Sequence, residues 1–95
     1  MLSYIGDTED GREVYDGIFT LFDTNGIPLD IVFDILKEEN KQPSFISFVE
    51  DARKSKWRDK TIYNRLFGAI MDVYGQTYWI EVKAGLLKHC GLKEP

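Results

Sequence analysis

The sequence predicts an all-α fold, a bundle of four or five helices in one small domain. Three observations carry this. Apolar residues recur with a helical period over most of the chain from residue 27 onward. Residues suited to starting helices (Pro28, Ser44, Asp59, Thr77) precede these runs, and Asn40, Gly75 and Gly91 follow them as stops. The chain has 95 residues, 43% hydrophobic and 14% aromatic, which is too apolar for disorder and enough for one thin core.

Residues 1–10 read as a polar lead-in. Residues 12–22 admit two readings. Val14, Ile18, Leu21 and Phe22 fit helical spacing, with Tyr15 and Phe19 as a second row, and helix is the reading adopted. Gly11 and Gly17 oppose it, each costing about 1 kcal/mol in a helix interior. Ile18 to Phe22 also suits a strand, and Asn25-Gly26 is a hairpin signal as well as a helix stop. The alternative is therefore an α+β fold with a hairpin within residues 13–29.

The spacing of Leu29, Val32, Phe33 and Leu36 predicts a helix over 27–39, with Pro28 in its first helical position. Ser44 caps the next, about 44–55, whose buried side is Phe45, Phe48, Val49 and Ala52. The longest, about 59–74, carries Ile62, Leu66, Ala69, Ile70 and Val73 beside a stripe of Tyr63, Phe67, Met71 and Tyr74. A helix so broadly apolar belongs at the centre of a bundle. The last runs about 78–90, capped by Thr77, with Lys88 and His89 at the negative end of its dipole. Residues 92–95 read as a frayed tail.

Charge is segregated by half. Residues 1–50 carry eleven acids against Arg12, Lys37 and Lys41, a net of −8, and residues 51–95 carry a net of +4. Such asymmetry points to partner surfaces more readily than to chemistry. Cys90 is the sole cysteine, so no internal disulfide or cysteine-rich zinc site can form, and a lone thiol suits a reducing, cytoplasmic compartment. No apolar run approaches the ~18–20 residues of a membrane span, and residues 1–7 lack the basic region and apolar run of a signal peptide, so none is expected there.

Two constellations stand out. Asp30, Asp34 and Glu38 repeat at i, i+4, i+8, about 6 Å apart along a helix axis, close to the spacing of backbone phosphates. They are the candidate site for a protein partner, itself basic or nucleic-acid-binding; an ordinary solvated face is the bland reading. Lys54, Lys56, Trp57, Arg58 and Lys60, with Arg53, form a basic stretch around an aromatic residue. Together with Asn64 and Arg65 they are the candidates for nucleic-acid contact, in a unit like a helix-turn-helix over residues 44–74. The connecting turn lacks the common glycine, and Trp57 also suits a core lid.

Catalytic readings are poor. His89 and Cys90 are neighbours on a helix and point about 100° apart, which is no nucleophile–base pair. Asp23-Thr24-Asn25-Gly26 starts like a calcium loop, but Pro28 stands where that loop needs glycine and Asp34 where it needs glutamate. No glycine-rich phosphate loop is present. The expectation is a non-enzymatic, cofactor-free interaction module, such as an inhibitor, adaptor or accessory protein of the kind phages and mobile elements carry, acting through its acidic half. A DNA-binding regulator is the alternative, and self-association is a third reading. No motif places the chain in a family.

Overall fold

In the computed structural model, which describes residues 2–91, five helices pack beside a small three-stranded sheet. The chain order is β1 (Ser3–Asp7), β2 (Glu13–Asp16), α1 (Ile18–Asp23), α2 (Leu29–Glu38), β3 (Gln42–Pro43), α3 (Phe45–Lys54), α4 (Asp59–Val73) and α5 (Gln76–His89). The fold is thus mostly helical with an N-terminal hairpin. This corrects the purely all-α expectation and fits its α+β alternative.

The hairpin lies earlier than expected, within residues 3–16 rather than 13–29. β1 and β2 run antiparallel, pairing Tyr4 with Tyr15, with a bulge between Tyr4 and Gly6. The turn is Thr8 to Gly11, closed by Thr8 N donating to Arg12 O at 2.8 Å. Gly11 takes φ 89°, a left-handed conformation that a side chain would strain. Asp10-Gly11 is the Asp-Gly hairpin signal that the reading of residues 1–10 as a lead-in passed over. Asn25-Gly26 instead ends α1, with Gly26 at φ 72°.

The expected helix over 12–22 divides at Gly17. Before it, Glu13 to Asp16 pair in the sheet; after it, α1 turns for six residues. Gly17 sits at φ 90° in the N-cap position, where no continuous helix can pass. Val14 and Ile18, four apart, mimicked one helical face while belonging to different elements. β3 adds to β2 in parallel, with Val14 opposite Gln42 and Tyr15 opposite Pro43. The crossover that parallel pairing requires is supplied by α1 and α2.

The four later helices lie within a few residues of their expected bounds. Pro28 is the N-cap of α2 rather than its first helical residue, with φ −54° and ψ 140°. α2 ends as expected at Asn40, which takes φ 57° while Lys41 N returns to Leu36 O at 2.8 Å. Ser44 caps α3, its side chain accepting from Ser47 N. α5 starts at Gln76 behind Gly75, so Thr77 lies inside the helix and is not its cap. Gly91, at φ 69°, follows α5 as the left-handed residue expected there. Residues 92–95, expected as a frayed tail, lie outside the described residues.

One buried cluster joins the elements, from Ile18 and Phe19 through Phe33, Phe48, Ile62, Leu66 and Ile70 to Trp79 and Cys90. Leu66 and Ile70 are fully buried on α4, as the period predicts. No helix among the described residues is long and apolar enough to cross a membrane.

Candidate functional site

The site begins with a local cause. α3 ends at Lys54, and Lys56 takes φ 67° to turn the chain without a glycine. Trp57 N then donates back to Ala52 O at 3.0 Å, and Arg53 Nε donates to Asp59 Oδ1 at 2.9 Å across the turn. This tight connection sets Lys54, Lys56, Arg58 and Lys60 on the surface, all exposed. The acid Asp59 is spent on Arg53, so the rim keeps its positive charge.

Trp57 is half-buried. Its ring meets Phe19 edge-on at 5.3 Å and Phe22 at 5.9 Å. The ring is thus held within the aromatic cluster, as the core-lid reading expects. It serves another residue: the Arg65 guanidinium lies 5.4 Å from the Phe22 ring centre and 5.9 Å from that of Trp57. These are cation–π distances.

Arg65 opens onto a hollow of about 550 Å³ between α4 and the start of α2. Phe22, Pro28, Leu29 and Ala69 supply apolar walls; Thr61, Asn64, Arg65, Asp30 and Asp72 supply polar ones. Gly68 also lines it, in mid-helix, where an added Cβ would meet nothing within 4 Å. The helical period puts residues 61, 64, 65, 68 and 72 on one strip of α4, and Pro28, Leu29 and Asp30 at the start of α2 line the hollow with it. The hollow therefore offers hydrogen-bond acceptors, an amide with both functions and one guanidinium, over an apolar floor.

The structure thus brings together residues that the sequence assigned to separate sites. Asp30, from the acidic row, shares the hollow with Asn64 and Arg65 from the nucleic-acid set. Asp34 and Glu38 do not line it; they lie on the outward face of α2 beside Ile31 and Ile35, each 47% exposed. Lys37 is drawn off that face, its Nζ donating to Val73 O at 2.9 Å. Thr61, Gly68 and Asp72 were missed as site residues. Their i, i+4 and i+3 relation to Asn64, Arg65 and Ala69 was visible, but a polar helix edge is ordinary until something faces it.

Elsewhere the chemistry is quiet. Cys90 is fully buried, and burial raises its thiol above the usual value, away from the reactive thiolate. Among the described residues, no three His, Cys, Asp or Glu side chains are placed to hold a metal ion. A smaller, mostly apolar groove of about 250 Å³ runs between α3 and α5 past Ile46, Gly85 and His89.

No protein-family model matches the chain. No solved structure matches it. Over 84 residues, 88% of its length, the chain is 38% identical to part of the alanine–tRNA ligase of Neorickettsia sennetsu (strain ATCC VR-367 / Miyayama), and that stretch spans 9% of the ligase.

Proposed function

We propose that the chain is a non-catalytic recognition module that binds RNA, tRNA in particular, on the surface formed by the α3–α4 connection and the hollow beside it. The observation that carries this reading is an exposed cationic connection (Lys54, Lys56, Arg58, Lys60) that leads straight into α4, whose Arg65 lies over Trp57 of that connection and shares a hollow with Asp30, Thr61, Asn64 and Asp72. The rim supplies phosphate contacts, which give RNA binding its affinity; the hollow supplies groups that read exposed edges or 2′-hydroxyls. The relative named above acts on tRNA, which supports this choice of nucleic acid. The likeness covers a small part of that ligase, so no ligase activity is carried over. A cytoplasmic setting follows the lone-thiol argument.

Net charge argues the other way, and magnitude decides. Four phosphate contacts give a salt slope near −3 to −4, so affinity should fall about a hundredfold between 50 and 200 mM salt. A module of this kind binds detectably at low salt and weakly at physiological salt. The test is fluorescence anisotropy with a labelled alanine tRNA transcript, a second tRNA and a DNA duplex. Tighter binding to tRNA than to DNA is expected, lost in the Lys54, Lys56 and Arg58 triple alanine variant. No tRNA binding at 50 mM salt would end the reading; preference for the duplex would favour the DNA regulator.

A second reading keeps the acidic half. Ile31 and Ile35 stand exposed beside Asp34 and Glu38, with Asp30 at the flank, a face suited to a basic protein surface. Replacing Asp30, Asp34 and Glu38 by Ala would weaken capture of such a partner while leaving the fold intact. Unchanged capture by that variant would remove this reading.

A further inference from the structure

Arg65 differs in its surroundings from two other arginines of the chain. Arg12 pairs with Asp10 at 3.3 Å and Arg53 with Asp59 at 2.9 Å. Arg65 makes no hydrogen bond or ion pair among the described residues; its contacts are the rings of Phe22 and Trp57. Those rings are themselves fixed. Phe48, 1% exposed, lies 6.4 Å from Phe22, and Phe19, 5% exposed, lies 5.3 Å from Trp57. A long cation is thus seated on packed aromatic rings, its N–H donors unpaired among the described residues, at a hollow in which it is the one cation that the described residues contribute.

Resting on the RNA reading above, we propose that Arg65 grips a phosphodiester group of the bound RNA and is preset for it by Phe22 and Trp57. The chemistry fits. A guanidinium offers paired donors matching two phosphate oxygens, whereas an ammonium offers a point charge. Seating the side chain beforehand removes most of the rotamer entropy that a free surface cation loses on binding. Asp30, on α2, and Asp72, about two turns further along α4, repel a phosphate and confine it to the Arg65 end of the hollow, and they remain as acceptors for donors on the adjoining sugar or base. Phe22 and Trp57 are positioning residues, acting through Arg65. The rim lysines act differently, as mobile charges.

The two roles separate by experiment. Arg65→Lys keeps the charge but loses the paired donors, so tRNA affinity should fall about tenfold with the salt slope unchanged. Lys60→Ala removes a diffuse contact, so the slope should shrink by about 0.7–0.9. Phe22→Leu, checked by circular dichroism for its fold, should weaken binding as Arg65→Lys does, and the double variant should be no worse than either single one. Equal affinity of Arg65→Lys and the parent, or fully additive losses with Phe22→Leu, would overturn the proposal. A second arm uses inorganic pyrophosphate and the NMR signal of Arg65 Nε–H. A shift in the parent that Phe22→Leu diminishes is expected, and no shift would overturn the proposal even where tRNA binds. A pyrophosphate shift without tRNA binding would end the RNA reading and leave Arg65 as a phosphate-binding arginine.

Discussion

Leu66 and Ile70 show how far a single position can be read. Both are fully buried, one turn apart on α4. Each truncation to Ala should cost roughly 2–5 kcal/mol, because the cavity left behind collapses only in part. Thermal melts falling by less than a degree or two would contradict the burial. Gly68 makes the opposite prediction. It costs α4 about 1 kcal/mol relative to Ala, yet an added Cβ would meet open space. Gly68→Ala should therefore raise stability by up to about 1 kcal/mol. Gly68→Leu should keep the fold and fill the hollow, weakening tRNA binding in the anisotropy assay. If Gly68→Leu binds as the parent does, the hollow is not the contact surface. The period revealed Leu66 and Ile70. It could not reveal why Gly68 is a glycine, since that depends on what α4 faces.

Among the elements, the junction of α4 and α5 has its own pH signature. Tyr74 and Tyr78 stack with ring centres 4.5 Å apart, beside Phe33 and Phe45. Burial raises both phenols above their usual value, Tyr74 strongly, with a further push from its neighbour Tyr78. A raised phenol keeps its proton in the folded chain after the unfolded chain has lost it. Their contribution is thus complete below about pH 10 and declines as pH rises from there toward the folded values. Melts between pH 9 and 11.5 should show that decline, and Tyr74→Phe should flatten it. A parallel decline in both proteins would place the titration elsewhere. At the other end, the hairpin departs from the helical expectation for a local reason. Gly17 at φ 90° turns Val14 and Ile18 onto separate elements, and β1 has little buried surface of its own. Hydrogen exchange should be fastest in β1 and slowest in α4, where the buried contacts concentrate. Equal protection of both would mean that the hairpin is part of the cooperative core.

For the whole molecule, charge is the organising variable. The pairs Arg12–Asp10, Lys41–Glu39 and Arg53–Asp59 each join residues of one half, so they leave the segregation between halves in place. Folding sets α2 against α4, which brings Asp30 into one hollow with Arg65 and Asn64 while Asp34 and Glu38 stay outside. The result is one surface with a cationic rim and a mixed hollow, next to an acidic face carrying two isoleucines. Raising salt should weaken tRNA binding through the first without unfolding the chain, and a melting temperature that dropped in step with affinity would show that the same charges stabilise the fold.

Helix positions from residue 29 onward were legible because amphipathic period, caps and stops are local properties that neighbouring residues settle among themselves. Ser44, Asn40 and Gly91 act as their chemistry dictates wherever they stand. The strands were not legible. β3 is two residues long and exists only because β2 lies alongside it, and β2 was disguised by residues that continue its spacing into α1. The candidate site was half legible for the same reason. Its cations and its acids were identifiable as residue types, but a hollow is a relation between two helices distant in sequence. Packing of α2 on α4 brought Asp30 and Arg65 to one hollow, and the Phe22 and Trp57 rings, which composition counts only as core, became the seat of the arginine.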